Sequence, residues 1–305
     1  MMIRPFFLTL SLWLALVLAP DGPAMAKVPT VVTDMPVTHA LAAKVMGDLG
    51  QPILLAGGGA DPHSYQLRPS QMQSVTTADL TIWMGPRLTP WLERALAQDR
   101  SGAALQLLAA PGTRLQRFGA ELPESGPVEA SAPDTDPHAW LEPENATLWV
   151  GLIAEQLAAI DPEHAAIYAD NAARAVTEIA ALDASLQQML EGAGAPIVLG
   201  HDAYGYFASH YGLNIAATLS SGEAAEPGAA HLSSLSALLA SGDIACIFPE
   251  PGPMADRSAQ LASGTPTRIG APLDPEGLSL PPGPDLYLQL MLGLGTAIAD
   301  CLAGG

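Results

Sequence analysis

Short apolar runs alternate with longer segments of helical periodicity along most of the chain. In the first half the apolar runs that suit strands cover residues 30–33, 52–55, 80–84 and 105–108. The second half repeats the alternation, with apolar runs at 197–199, 213–218, 244–248 and 267–269. This pattern is typical of α/β folds, in which helices connect the parallel strands of a sheet. It predicts two α/β lobes.

Two helical segments lie between these series, at residues 143–160 and 163–190. In the second segment apolar residues recur near helical spacing, with acidic residues on the other faces. About 28 helical residues would extend over roughly 42 Å, which is long enough to brace two lobes. We therefore predict a lobe at 27–162, a long rigid connecting helix at 163–191 and a second lobe at 192–305, with a cleft between the lobes.

Residues 1–26 have the composition of a secretory signal peptide. Arg4 precedes an apolar run at residues 6–19, and Ala24-Met25-Ala26 has the small residues that signal peptidase requires. The run is shorter than the roughly 20 residues of a spanning helix, and no cysteine near Ala26 could carry a lipid. A membrane anchor is the alternative. We expect an exported mature chain that begins near Lys27 and does not span a membrane.

The charge balance narrows the range of partners. Acidic residues outnumber basic ones 31 to 12, for a net charge of −19. Nucleic acid is excluded as a partner on this basis, because phosphate binding needs a basic face. Residues 111–136 contribute to this acidity. They are rich in Pro, Gly, Ala, Ser and acidic residues and have no periodicity, so they predict a loop.

The chain has two cysteines, Cys246 and Cys301. In an exported protein an even pair favours a disulfide, and the two lie too far apart for a CxxC motif. Two free buried thiols are the alternative. Because Cys246 lies in a predicted strand and Cys301 near the end of the last helix, a bridge would tie that helix to the sheet.

Candidate metal ligands follow four of the predicted strands. Two histidines end the same tripeptide, Asp61-Pro62-His63 and Asp136-Pro137-His138, while His201 directly follows a strand and Asp274 comes soon after another. Ligands of α/β proteins gather at the carboxyl edge of the sheet. Proline restricts its own backbone and that of the residue before it, so each Asp-Pro-His presents its imidazole on a stiff turn.

Three neutral imidazoles and one carboxylate make a four-coordinate N₃O shell, which matches the tetrahedral preference of zinc. Any one of these histidines alone would more often be a structural residue. Two on the same tripeptide and a third at a strand end make a shared site the better interpretation.

The motifs resemble those of the metal-binding solute receptors of bacterial ABC importers, in particular the zinc-type ZnuA family. The similarity extends from about residue 30 to residue 302. It rests on five segments of this sequence: DPHSYQLRPSQ, ADLTIWMGPRLTPWLERAL, DPHAWLEPENA, HDAYGYFASHYGL and LDPEG. LDPEG alone would be a weak signal, whereas the set is specific.

The resemblance implies that His63, His138 and His201 bind zinc, with Asp274 as the fourth ligand. It also implies two α/β lobes joined by a long helix, a periplasmic location and delivery of zinc to the membrane permease of an ABC importer, and we expect the protein to be a monomer. Manganese-type relatives have a carboxylate where His201 stands. Zinc-type members often carry a histidine-rich loop before the second ligand, but residues 111–136 of this chain contain no histidine.

Other side chains near these motifs are weaker candidates. His39 starts a helix after the first strand, where it would be an alternate ligand or an ordinary polar residue. We expect Trp140 and Tyr204 to wall the site. Glu226 and Glu250 could line the cleft, and neither is predicted as a ligand.

Two other functions stay open. One is a manganese or broad divalent-metal receptor. The other is a secreted zinc hydrolase, which would need an open coordination position and a general base. The chain has no His-Glu-x-x-His motif or nucleophile elbow, and a fourth protein ligand would close the site. We therefore predict a binding protein that is not an enzyme.

Overall fold

The computed structural model describes residues 27–119, 128–220, 227–251 and 254–304. The predicted signal peptide, the middle of the predicted acidic loop and Glu226 lie outside these ranges. The described flanks of that loop have no helix or strand, and an isolated bridge joins Arg117 to Thr135 at its base.

The first sheet has four parallel strands in the order β2-β1-β3-β4. Its strands are β1 (Val31–Thr33), β2 (Ile53–Leu54), β3 (Leu80–Trp83) and β4 (Ala103–Gln106). Its helices are α1 (Pro36–Met46), α2 (Pro69–Thr77) and α3 (Pro90–Leu96). Each helix begins with proline, which is tolerated there because the first N–H of a helix has no partner within the helix. The two central strands, β1 and β3, are buried along their whole length, as expected of a parallel sheet covered by helices.

Two long helices follow, α4 (Pro143–Ile160) and α5 (Ala165–Met189). A single turn of 3₁₀ helix at Pro162–His164 separates them. Helix α5 has 25 residues and therefore extends over about 38 Å. It packs against α4 and α1 and also against α9 of the second half, so the segment that the periodicity predicts as a brace contacts helices from both halves of the chain.

The second sheet also has four parallel strands, in the order β6-β5-β7-β8. Its strands are β5 (Ile197–His201), β6 (Ile215–Ser220), β7 (Cys246–Ile247) and β8 (Arg268–Ile269). Its helices are α6 (Gly205–Tyr211), α7 (Ala229–Ala240), α8 (Met254–Ala262) and the last helix, α9 (Leu286–Ala303). The two predicted α/β halves are confirmed, because each sheet is parallel and its strands alternate with helices.

The two sheets share one connectivity: in each, the first strand lies between the second and the third. The chain leaves the first strand towards one side and returns to the other. The loops after the first and third strands therefore diverge, and such switch points are where open α/β sheets bind ligands. In the second sheet the switch point lies between β5 and β7.

One hydrophobic core joins the two lobes. The same cluster contains Leu80 of the first sheet, Ile179 of α5, Leu199 of the second sheet and Met291 of α9. At the surface Lys44 of α1 contacts Glu178 of α5 at 2.5 Å and Asp285, just before α9, at 2.8 Å. These contacts limit how freely the lobes can move against each other.

The predicted disulfide is confirmed. Cys246 of β7 is bonded to Cys301 of α9, with their Cα atoms 6.4 Å apart. By length and apolar composition alone, α9 is the one helix in the described ranges that could cross a membrane. Its residues Leu290, Met291 and Ile298 are buried in the shared core, a position that a core helix of a soluble domain would also have.

Candidate metal centre

The first candidate ligand, His63, lies in the loop after β2. Asp61 accepts hydrogen bonds from the backbone N–H of His63 at 2.8 Å and from the hydroxyl of Ser64 at 2.8 Å. The indole N–H of Trp91 in α3 donates to the carbonyl of Pro62 at 2.6 Å. The Asp-Pro-His turn is thus closed by its own aspartate and pinned to a helix of the first lobe.

The second candidate, His138, is fully buried. One oxygen of Asp136 accepts from its backbone N–H at 3.0 Å and lies 2.7 Å from its ring Nδ1. The hydroxyl of Tyr206 in α6 donates to the carbonyl of Asp136 at 3.0 Å and accepts from the backbone of Gln116 at 2.9 Å. Because Asp136 engages Nδ1, a metal would bind His138 through Nε2.

The third candidate, His201, is the last residue of β5. Both carboxylate oxygens of Glu250, which follows β7, lie 2.8 Å from its Nδ1, and the backbone N–H of His201 donates to Glu250 at 3.2 Å. The hydroxyl of Tyr204 also donates to Glu250, at 2.9 Å, and its ring lies 6.1 Å from that of His201. Burial lowers the pKa of His201, but the hydrogen bond and charge of Glu250 outweigh burial and raise that pKa. Nε2 is again the nitrogen left for a metal.

A carboxylate that the sequence motifs did not single out lies at this centre. Oε1 of Glu276 is 2.9 Å from Nε2 of His63, and only 8% of the Glu276 side chain is exposed. Glu276 lies in the turn of LDPEG, and the next residue, Gly277, has a φ of 73°. A side chain at Gly277 would also approach Leu286 to 2.9 Å, so glycine suits the turn that presents Glu276.

Asp274, the fourth ligand predicted from the sequence, supports this turn instead. One of its oxygens accepts from the backbone N–H of Leu278 at 3.0 Å. The other accepts from the backbone N–H and the hydroxyl of Ser279, at 2.7 and 2.5 Å. Both oxygens are therefore engaged within the loop. The structure brings Glu276, and not Asp274, beside the histidines.

Within the described ranges, one group of side chains has the geometry to hold a metal ion: His63, His138 and Glu276, whose ligand atoms lie within 4.8 Å of one another. His201 is not in that group but adjoins it. The ring of His138 lies near those of both His63 and His201, with centroid distances of 5.6 and 5.4 Å. The structure thus brings the three histidines predicted from the sequence together, with the carboxylate of Glu276 beside His63.

Aromatic side chains lie against His138. The ring of Trp140 lies 5.1 Å from that of His138, and the ring of Phe118 lies 6.5 Å from it. The indole N–H of Trp140 donates to the carbonyl of Pro275 at 2.8 Å, so the wall of the site is bonded to the turn that carries Glu276. This confines the centre between the loop of His138 and the last loop before α9.

The hydrogen bond of His39 is made away from this centre. Its ring bonds to the backbone of Pro52, the residue before β2, and burial lowers its pKa. The side chain is 7% exposed, which is typical of a polar residue at the start of a buried helix. The structure describes His39 as part of the packing between α1 and β2.

The side chains that the structure gathers here are three imidazoles and one carboxylate, with aromatic rings against them. Imidazole nitrogens suit zinc and related transition metals, while magnesium, calcium and manganese favour oxygen. The fold and this cluster together define a two-lobed α/β protein with a candidate transition-metal centre between the lobes.

The comparisons with known proteins agree with that class. The model of the family described as "Zinc-uptake complex component A periplasmic", ZnuA, matches residues 31–301. The chain therefore belongs to the ZnuA family, and the resemblance seen in its motifs is confirmed.

Individual relatives match over nearly their whole length. The chain is 44% identical to the high-affinity zinc uptake system protein ZnuA of Paracoccus denitrificans, over 99% of both chains. It is 31% identical to the protein of the same name from Yersinia pestis, over 91% of this chain and 92% of that one. Among solved structures, a crystal structure of ZnuA covers 90% of this chain and 99% of its own, with a TM-score of 0.75 at 23% identity. The laminin-binding protein Lmb of Streptococcus agalactiae has the same fold, with a TM-score of 0.74 at 22% identity over 90% of this chain and all of its own.

Proposed function

We propose that this protein is the periplasmic receptor that captures Zn²⁺ and delivers it to the permease of an ABC importer. The observation that carries the proposal is the meeting of four loops, two from each half of the chain, at one centre with three imidazoles and a carboxylate. Relatives at 44% and 31% identity are named as high-affinity zinc uptake proteins, which supports zinc as the ion carried.

We propose His63, His138 and His201 as three ligands and Glu276 as the fourth. Zinc bonds to imidazole nitrogen and carboxylate oxygen measure about 2.0–2.2 Å, so tetrahedral ligand atoms lie about 3.4 Å apart. The 2.9 Å between His63 and Glu276 requires only a small opening to admit the ion. Asp274, expected as a ligand from the motif, has the role of holding the turn that carries Glu276.

This ligand arrangement couples binding to the relative position of the lobes. His63 belongs to the first sheet's loops, whereas His201 and Glu276 belong to the second half of the chain. An ion held by all of them bridges the cleft, and its release requires the ligands from one side to withdraw. The shared core and α5 restrict such a movement to a small displacement of loops and lobes.

The remaining expectations follow from this role. The mature chain acts as a monomer from about Lys27, with lobes at 27–162 and 192–305 joined by the helix at 163–191, and α9 is a core helix rather than a membrane span. The protein binds and releases its ion without chemical conversion, since four protein ligands leave no open position for a reacting water.

Metal analysis of protein purified without added zinc tests the proposal, followed by chelator competition with Zn²⁺ and Mn²⁺. We expect one zinc per chain and a preference for zinc over manganese. A preference for Mn²⁺ would favour the broad divalent-metal receptor, and failure to bind either ion would reject a metal-carrying function.

A further inference from the structure

We infer that Glu250 is a positioning residue for zinc capture: it holds the His201 ring with Nε2 directed at the ion, and Gly200 is glycine so that Glu250 can reach it. This inference rests on the proposed function and names residues that none of the chain's motifs assigns to the site.

Glu250 makes four contacts with one short segment. Its two oxygens lie 2.8 Å from Nδ1 of His201, and it accepts from the backbone N–H of His201 and the hydroxyl of Tyr204. The side chains of Glu250 and His201 are 18% and 15% exposed. A surface carboxylate has no need of so many donors, so the contacts indicate a side chain fixed in one place.

The position of Glu250 in the fold explains how it reaches His201. His201 ends β5 and Glu250 follows β7, and these adjacent parallel strands flank the switch point of the second sheet. The two residues are 49 positions apart in sequence. The carboxyl ends of adjacent parallel strands bring them together.

His138 and His201 each have a carboxylate partner, but the two partners come from different places in the sequence. His138 takes its carboxylate from Asp136, two residues earlier, which bonds both the backbone N–H and Nδ1. His201 has Leu199 at that position and no Asp-Pro turn. Glu250 makes the same two bonds to His201 from the segment after β7. Two ligands on different loops thus have the same carboxylate support from different sources.

Gly200 provides the space for this support. A Cβ built on Gly200 would lie 2.6 Å from Cδ and 2.7 Å from Oε1 of Glu250. Gly200 is not among the glycines with positive φ, so alanine fits its backbone conformation. The three heavy atoms nearest to that methyl group all belong to the Glu250 side chain, so this side chain would be displaced.

The chemical consequence concerns the tautomer and the basicity of His201. A carboxylate that accepts from Nδ1–H leaves the lone pair on Nε2 and makes that nitrogen a stronger donor to a metal. It also stops the ring from turning. Loss of such a carboxylate typically costs about 10- to 100-fold in metal affinity.

The first experiment measures zinc affinity by chelator competition for the full mature chain and its Glu250→Ala and Glu250→Gln variants. We expect Glu250→Ala to weaken zinc binding about 10- to 100-fold, and Glu250→Gln to weaken it less because its amide oxygen can still accept one bond. The matched control is Asp161→Ala, which removes the carboxylate that lies 2.7 Å from Nδ1 of His164, a histidine outside the metal centre. That variant should keep the affinity of the parent.

The second experiment adds Gly200→Ala to the parent and to Glu250→Ala. In the parent the new methyl group displaces Glu250, so we expect an affinity loss of about tenfold, the lower end of the carboxylate effect. In Glu250→Ala no long side chain remains to be displaced, so the same substitution should change the affinity less than twofold. This non-additivity is the signature of action through Glu250.

A spectroscopic measurement separates positioning from general stability. ¹⁵N-labelled histidine resonances of the zinc-loaded parent should show His201 protonated at Nδ1 and bound through Nε2, with a slowly exchanging ring proton. Glu250→Ala should lose that slow exchange, while His138, held by Asp136, keeps it. Circular dichroism and a thermal melt of each apo variant check that the fold is retained.

The outcomes are separable. If the parent binds zinc and Glu250→Ala binds it equally well, the positioning role is rejected and the proposed function stands. Equal losses from Gly200→Ala in both backgrounds would also reject it. If the parent binds no zinc, the proposed function itself fails. If Glu250→Ala does not fold, the zinc affinity of Gly200→Ala in the parent background tests the inference instead. An affinity equal to that of the parent would overturn the inference.

Discussion

Nε2 of His63 lies 2.9 Å from Oε1 of Glu276, although 213 residues separate them in the sequence. Their side chains are 10% and 8% exposed. The first residue belongs to a loop of the first sheet and the second to the loop before α9. This contact joins the two halves of the chain at the place where the other histidines converge, and it makes Glu276 the carboxylate best placed to share an ion with His63.

The two carboxylates of LDPEG should respond differently to substitution. Glu276→Gln removes the charged ligand, and we expect zinc affinity to fall by more than the roughly 10- to 100-fold that loss of a group supporting a metal ligand typically costs. Asp274→Asn removes an acceptor that holds the turn, so we expect apo stability to fall by about 1 kcal/mol and affinity to fall less. Chelator competition and thermal melts measure both. A larger affinity loss for Asp274→Asn would restore the ligand predicted from the sequence.

Removal of the His201 imidazole should weaken zinc binding severely and leave the apo fold intact. Its ring is partly exposed and its support, Glu250, can turn to solvent once the ring is gone. The matched control is His39→Ala, because His39 bonds to the backbone of Pro52 and should contribute little to affinity. Chelator-competition titration with zinc measures the affinity of both variants. A His201→Ala protein that binds zinc like the parent would refute the three-histidine site.

Zinc should bind with a stoichiometry of one tight ion per chain. The described ranges contain a single group with metal-holding geometry, and residues 111–136 contain no histidine. Metal analysis after extensive dialysis measures the ratio. A reproducible value of two or more would contradict a single centre.

His210 should make stability depend on pH. Burial lowers the pKa of His210, but hydrogen bonds and charges from Glu142 and Asp183 raise it to about 9. Its two ring nitrogens lie 2.9 Å from Glu142 and 2.8 Å from Asp183. Because the folded pKa lies above the ordinary value of about 6.5, the stabilisation is complete below pH 6.5 and is lost as the pH rises through about 9.

The measurement is the free energy of unfolding of the apo protein by urea between pH 6 and 9.5. The parent should lose about 2 kcal/mol over this range, after allowance for solvent screening of a partly exposed ring. His210→Gln should be less stable at pH 6 and have a flatter profile. Parallel profiles for the two proteins would show that another group controls the pH dependence.

The Cys246–Cys301 bridge should contribute to stability without supporting the metal site. It closes a segment with a sequence separation of 55, and its loss should cost about 2–4 kcal/mol by releasing constraint on the unfolded chain. A Cys246→Ser/Cys301→Ser variant, compared by urea unfolding and zinc titration, tests both statements. If reductant destabilises the double variant as much as it destabilises the parent, the effect of reductant is unrelated to the bridge.

Much of this protein follows from local sequence. The alternation of apolar runs and helical segments predicts two α/β halves, and the prolines at the first positions of α1, α2 and α3 mark where helices begin. The stiff turn of Asp-Pro-His is predictable from the sequence because its aspartate and histidine are only two residues apart. The structure confirms the α/β fold, and it shows each of these aspartates bonded to the backbone N–H of its own histidine.

Some boundaries differ for physical reasons. The apolar run at residues 105–108 predicts a strand, whereas β4 is Ala103–Gln106. Register with β3 decides this, since Leu80 pairs with Ala103 and Trp83 with Gln106. Apolar character predicts burial, and pairing depends on the neighbouring strand.

The sequence by itself determined the two-lobed α/β class and the pair of cysteines, and it singled out His63, His138 and His201 as candidate ligands, because these depend on hydrophobic periodicity, residue type and short motifs. Tertiary structure alone decided which carboxylates from distant parts of the chain contact those imidazoles. Asp274 and Glu276 lie two residues apart, and a turn with both Asp274 oxygens bonded to its own backbone directs Glu276 towards His63. Glu250 reaches His201 only because β5 and β7 are adjacent strands. Contacts across a sheet or between lobes depend on how distant segments pack, and no local pattern encodes them.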